Sequence, residues 1–199
     1  MPTIDLDAFF DAELEQHTRV AEAVRGRLAA PFAQLVEAAA AAVSGGGKIL
    51  LFGNGGSAAD AQHIAAELTV RYVADRDPIA AIALTTDSSA LTAAGNDLGF
   101  EQVFARQVRA LGRPGDLALA ISTSGRSPNV LQGVRAARDQ GLTTAALTGR
   151  DGGELAALAD TVLLVPSDVT ARIQEMHITL GQMLCGALER RLGLVAGGS

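Results

Sequence analysis

From residue 45 onward the chain alternates short, continuously apolar runs with segments of helical pattern. The runs are KILLFG at 48–53, AAIALT at 80–85, LALAIS at 117–122, TAALTG at 144–149 and TVLLVP at 161–166. Runs that are apolar along their whole length predict strands covered on both faces. Strands that alternate with helices in turn predict a parallel sheet between helical layers. Residues 1–44 differ, because no strand is evident and stretches such as LVEAAAAAV favour helix. Two helices are predicted there, broken near Pro31, with Gly45-Gly46-Gly47 ending the second. A last helical region, TARIQEMHITLGQMLCGALERRL, occupies 170–192. The predicted organisation is a helical extension at 1–44 followed by an α/β domain at 45–199 with a five-stranded parallel sheet.

In such sheets ligands bind at the carboxyl ends of the strands. The segments to inspect are therefore Gly53 to Ser57, Thr85 to Ser89, Ser122 to Ser127 and Gly149 to Gly153, all rich in Gly, Ser, Thr, Asn or Asp. The third lies in ISTSGRSPNVLQGVRAAR, a strand end, a hydroxyl-rich turn and an amphipathic helix. Ser122, Thr123, Ser124 and Ser127 offer hydroxyls, Gly125 allows close backbone approach, and a helix N-terminus adds free N–H groups. Together they form a candidate phosphate cradle. Serines that merely cap the helix are the plainer alternative. No lysine completes a nucleotide-triphosphate loop, and GNGGS departs from the dinucleotide fingerprint, so NAD is a weak alternative.

After the first strand, GNGGSAADAQHIAAELTVRY places His63 and Glu67 one helical turn apart, able to meet one metal ion or one substrate. An ordinary exposed pair would have the same spacing. What favours chemistry is that this helix starts from the same sheet edge as the serine loop. Asp60 is expected to be a local hydrogen-bonding residue, and His17 a surface histidine. In the last helix Gln174, Glu175, His177 and Gln182 interrupt an apolar pattern, and for Glu175 and His177 solvent-facing positions or core hydrogen bonds are expected.

Composition narrows the class. A formal charge of -6 and 4% aromatic residues do not favour nucleic-acid binding, though local N–H groups and arginines can still hold an anionic sugar phosphate. No apolar run reaches the roughly 18 residues of a membrane span, and the acidic start lacks a secretory pattern, so a cytoplasmic protein away from the membrane is expected. The single cysteine, Cys185, excludes an intramolecular disulfide and is expected to be a packed thiol.

The motifs GNGGSAADAQHIAAEL, TAAGNDLGFEQVFARQVRALGRPGD, ISTSGRSPNV, LTGRDGGEL and RIQEMH occur in order, and from about residue 45 to 192 the chain resembles bacterial phosphoheptose isomerases of the sugar isomerase (SIS) type. The resemblance implies an αβα sandwich, a homotetramer with sites at subunit boundaries, and interconversion of D-sedoheptulose 7-phosphate with D-glycero-D-manno-heptose 7-phosphate. That reaction is an early step toward heptose in lipopolysaccharide core or other glycans. It further implies one zinc per subunit, with His63, Glu67, Gln174 and the position of Gln182 as ligands and Glu67 and that same position as the catalytic pair. Asn54, Gly55, Gly56 and Ser57 match the first sugar-binding loop, and Asn96 and Asp97 a second substrate segment. Ser122, Thr123, Ser124 and Ser127 match the phosphate loop, while Arg71 and Gln174 are further substrate contacts. These isomerases usually carry histidine where this chain has Gln182, and a glutamine cannot exchange a proton near neutral pH. A related SIS protein, DiaA, binds the replication initiator DnaA and is the alternative from another class, although DiaA-like chains generally lack the glutamate that this chain keeps as Glu67. A third reading is a SIS protein for another sugar phosphate.

A continuous helix separates Gln174 from Gln182 by about 12 Å along its axis. The expectation is therefore that the two groups reaching one site come from different subunits, or else that the helix begins irregularly after Gln174.

Overall fold

The structure is a computed structural model and describes residues 4–195. The chain begins with two helices, α1 (Leu6–Arg27) and α2 (Ala29–Ser44). An alternating α/β region follows: β1 (Ile49–Gly53), α3 (Gly56–Thr69), β2 (Ala81–Ala83), α4 (Ser88–Leu98), a 3-10 turn (Phe100–Gln102), α5 (Val103–Leu111), β3 (Leu117–Ser122), α6 (Pro128–Asp139), β4 (Thr143–Gly149), α7 (Leu155–Leu158) and β5 (Thr161–Val165). The closing helix is α8 (Thr170–Arg191). The five strands pair in parallel in the order β2-β1-β3-β4-β5, as the apolar runs predict.

Alternation along each strand sorts side chains between two helical layers. Ile49, Leu51, Leu117, Leu119, Ile121, Ala145, Leu147, Leu163 and Val165 join the core beneath α2, α3 and α8. Leu50, Phe52, Ala118, Ala120 and Ala146 face α4 to α7. The alanines of this second face leave room for Phe52 and Phe104, whose ring centroids lie 5.4 Å apart, and Gly133 lets α6 approach the Phe52 ring, which a side chain there would meet at 2.7 Å. The result is the αβα sandwich.

The break between the first two helices falls at Leu28 rather than near Pro31. Leu28 is buried, and Pro31 lies in the first turn of α2, where a missing N–H costs no intrahelical bond. The two helices of the extension also differ in role. Five residues of α2 are buried in the sheet's own core, whereas α1 buries none and exposes Leu6, Phe9, Phe10 and Leu14. Among the described residues, no helix is long and apolar enough to cross a membrane.

Candidate active site

Strand order reverses between β1 and β3, so the loops that leave these two strands diverge and open a crevice at the carboxyl edge. Two features join its walls. A Cβ added at Gly53 would lie 2.6 Å from the Ile121 carbonyl oxygen, so only glycine lets the strand ends approach this closely. Beyond the strands, the Asn54 and Asn129 side-chain amides donate to each other's Oδ1, both at 2.8 Å, and Asn129 is 2% exposed. Gly55 takes φ 56°, a left-handed conformation suited to glycine, and starts α3 directly after Asn54. Ser57 is buried against Gly53, while Asn54, Gly55 and Gly56 reach the surface.

The serine loop leaves its hydroxyls largely uncommitted. Ser127 is the N-cap of α6 but makes no side-chain bond to that helix, and its Oγ lies 3.4 Å from the Ser122 Oγ. Ser124 Oγ accepts only the Arg126 N–H, at 3.2 Å, and Thr123, Ser124 and Ser127 are half-buried. Simple capping is thus not their arrangement. The loop after β4 braces this one from outside: Leu155 N–H donates to Gly125 O, and Arg126 forms a two-pronged pair with Asp151 at 2.7 and 2.5 Å. The Arg126 guanidinium holds the Asp151 carboxyl well below the usual carboxylate range.

Helix α3 brings its two candidates together, with His63 Nε2 3.3 Å from Glu67 Oε1. The Gln182 amide lies 2.9 Å from the same imidazole nitrogen, and it comes from the same chain. Gln182 therefore joins its own chain's pair, which leaves Gln174 as the group expected from a second subunit; α8 is continuous from Thr170 to Arg191, so it has no irregular start after Gln174. The explanation is that α3 and α8 run side by side in one direction. Gln174 packs against Gly56, Gly181 against Ile64, and Gly186 against Tyr72. Each glutamine therefore meets its own part of α3, Gln174 at the loop and Gln182 at His63, and Gly56 and His63 are separated by roughly 10 Å of helix. The ligand set implied by the resemblance is accordingly divided: His63, Glu67 and Gln182 gather, while Gln174 makes no hydrogen bond to them among the described residues. No three His, Cys, Asp or Glu side chains cluster at metal-holding spacing among those residues; the third donor here is an amide.

Three predicted residues stay apart from this group. Asn96 and Asp97 lie exposed on α4, bonded to each other at 2.7 Å, and Arg71 is exposed just past the end of α3. Other expectations divide. His177 is buried, bonds Thr148 O at 3.1 Å and is pushed down to about 4 by burial, with that hydrogen bond opposing, so it is a neutral core histidine. The Cys185 thiol is buried and pushed up to about 12, chiefly by burial and then by the Glu67 and Glu189 charges. His17 is a surface histidine as expected, and its Nδ1 lies 2.8 Å from Glu175 Oε2. Asp60 is not the local hydrogen-bonding residue expected: among the described residues its Oδ2 is buried with no partner, and burial pushes the carboxyl up to about 6 against the opposing charge of His63. The clasp residue Asn129 went unnoticed in the sequence, where an asparagine after Ser-Pro signals only a helix start.

The SIS domain family profile matches residues 14–149. The chain is 54% identical over 181 residues to the phosphoheptose isomerase of Paramagnetospirillum magneticum, an alignment that covers 91% of this chain and 94% of that one. It superposes on the phosphoheptose isomerase GmhA of Neisseria gonorrhoeae with a TM-score of 0.89 at 47% identity, covering 94% of this chain and 100% of that one. With a phosphoheptose isomerase from Francisella tularensis the TM-score is 0.91 at 37% identity and the same coverage. Matched over most of its length in both sequence and fold, the chain belongs to the SIS domain family and, within it, to the phosphoheptose isomerases.

Proposed function

We propose that this crevice interconverts D-sedoheptulose 7-phosphate and D-glycero-D-manno-heptose 7-phosphate. The observation that carries the reading is the Glu67 carboxylate, held 3.3 Å from His63 on the helix that leaves the same crevice as the serine loop. Aldose-ketose isomerisation moves a proton between C1 and C2 through an enediolate and needs a base together with an electrophile for the oxygens. Glu67 takes the carbon-bound proton from one carbon and returns it to the next. One carboxylate suffices for both transfers, so the loss of an exchangeable proton at Gln182 falls on the oxygen-bound protons alone. The hydroxyls of Ser122, Thr123, Ser124 and Ser127 and the start of α6 hold the phosphate, and Asn54, Gly55, Gly56 and Gln174 line the path of the sugar.

Zinc belongs to the same proposal, one ion per subunit. Ligands about 2.0 to 2.1 Å from a tetrahedral zinc lie roughly 3.3 Å from one another, and the separations of 3.3 Å to Glu67 and 2.9 Å to Gln182 from His63 Nε2 are near that spacing. Turning the Gln182 amide, whose O and N have the same shape, presents its oxygen instead. His63, Glu67 and Gln182 would then hold the ion, while Gln174, which meets α3 at Gly56 in its own chain, would join them as the further implied ligand only from a neighbouring subunit. Bound there, zinc would polarise the substrate's carbonyl and hydroxyl oxygens. Metal and proton compete for the Glu67 lone pairs, so one carboxylate oxygen must stay free for the base.

A homotetramer is supported by the apolar residues α1 exposes, and Arg71, Asn96 and Asp97, facing solvent in one chain, are open to a neighbouring copy. The proposed setting is cytoplasmic, with the product feeding heptose for lipopolysaccharide or related glycans. NMR of purified protein with sedoheptulose 7-phosphate, with and without added zinc, should show aldose forming faster with the metal. Folded protein that fails to turn the substrate over in either condition would refute the reading.

A further inference from the structure

The connector from α3 to β2 folds a charged side chain back into the protein. The Arg76 side chain is 1% exposed and that of its partner Glu189, on α8, is 3% exposed. The guanidinium makes four bonds there: Nε donates to Glu189 Oε1 at 2.8 Å, Nη1 to Leu68 O at 2.7 Å and Asp77 O at 3.0 Å, and Nη2 to Glu67 O at 2.8 Å. Glu189 Oε1 also accepts the Tyr72 N–H at 3.2 Å. Thus the carbonyl oxygens of Glu67 and Leu68, which the end of α3 leaves without helical donors, both accept from a buried cation placed where the helix dipole favours one, and Leu68 O also accepts the Ile79 N–H at 3.0 Å.

Stability alone is a weak reason for such a pair. Desolvating two charges costs as much as their attraction returns, and apolar replacements of similar volume are often neutral or stabilising. The location is more informative. One guanidinium grips the backbone of Glu67 itself, and through Glu189 it grips α8 seven residues beyond Gln182, two turns along nearly the same face. A clamp just past the site therefore ties the end of α3, beyond His63 and Glu67, to α8 beyond Gln182, and the phosphate loop before α6 is not part of it.

We propose that Arg76 and Glu189 are positioning residues for the isomerisation, holding the Glu67 carboxylate and the Gln182 amide in register; the inference rests on the assignment of Glu67 as the base. Misplacement of a reacting group by about 1 Å costs up to about 100-fold in rate, so loosening the clamp acts on kcat. Substrate affinity, governed by the serine loop, stays nearly constant.

The decisive variant is the paired replacement Arg76→Met with Glu189→Leu, which leaves no orphaned charge and so is expected to fold. Arg76→Lys is the second: it keeps the charge beside Glu189 but lacks the planar fork that reaches both carbonyls. Leu163→Ala, buried in β5 at the other edge of the sheet, serves as a control for destabilisation alone. With sedoheptulose 7-phosphate as substrate, both clamp variants should lose about tenfold or more in kcat while KM stays within about twofold. The control should keep its kcat despite a lowered Tm. Parental kcat in the paired variant, or in Arg76→Lys should the pair fail to fold, overturns the inference, as does an equal loss of kcat in the control. Glu67→Gln, run alongside, separates the two levels: if it retains turnover, the base assignment falls, whereas an inactive Glu67→Gln beside fully active clamp variants removes the clamp's role alone.

Discussion

The Asn54–Asn129 clasp offers a quantitative test, because one substitution opens the crevice wall without replacing any side chain assigned to the reaction. Asn129→Ala removes two side-chain hydrogen bonds of 2.8 Å and also the Oδ1 that accepts the Val130 N–H at 3.0 Å. Each bond is worth about 0.5 to 1.5 kcal/mol net, and a buried N–H left without an acceptor costs about 1 to 3 kcal/mol. The expected loss is therefore roughly 2 to 6 kcal/mol, with its lower part the more relevant because Asn54 is half-exposed and water can replace one partner. Urea unfolding monitored by circular dichroism measures it as a fall in midpoint at constant slope. Asn129→Asp makes a sharper comparison: it keeps the acceptor for Val130 but faces Asn54 Oδ1 with a second oxygen and sets a negative charge at the start of α6, beside the phosphate loop. It should lose less stability than the alanine variant yet raise KM for the sugar phosphate more. A midpoint unchanged in Asn129→Ala, or an Asn129→Asp variant with parental KM, would refute the view that this pair holds the two loops together.

Three further outcomes are expected. Gln182→His should tighten zinc binding, measured by competition with a chromogenic chelator, because imidazole is a better zinc ligand than an amide and the side chain already points at His63; equal affinity would place residue 182 outside the metal's reach. Ser127→Ala, which removes a hydroxyl not used to cap α6, should raise KM by roughly 10- to 100-fold, the equivalent of a hydrogen bond to a charged group worth about 1.5 to 3 kcal/mol, and an unchanged KM would show that phosphate binds elsewhere. For His177, the ring sits at about 4 in the fold and near 6.5 when unfolded, so below about 6.5 the unfolded chain binds a proton that the native protein does not. Native stability is thus independent of this group above about pH 6.5 and falls as pH drops toward 4, by about 3 kcal/mol in all. His177→Gln should flatten that slope in urea titrations, and a slope identical to the parent would contradict the assignment.

Much of the fold was legible because it depends on neighbours along the chain. Five continuously apolar runs are five parallel strands, and the spacing of His63 and Glu67 does put both groups on one face of α3. Glycine and hydroxyl residues after β1 and β3 marked the crevice for the same reason, since loop chemistry and helix starts are local. The pairings that complete the site are not local. Gln182 and His63 are 119 residues apart, Asn54 and Asn129 are 75 apart, and Arg76 and Glu189 are 113 apart. The spacing of Gln174 and Gln182 within α8 correctly separates them by about 12 Å, but it says nothing of a second helix running alongside in the same direction. That alignment is set where Gly56, Gly181 and Gly186 of α3 and α8 let the opposing side chains Gln174, Ile64 and Tyr72 come close. The sequence by itself determined which segments are strands and helices and which loops carry chemistry, because those follow from periodicity and local backbone preference. Only the tertiary structure decided that one chain supplies His63, Glu67 and Gln182 together, because the register between packed helices depends on how distant surfaces fit.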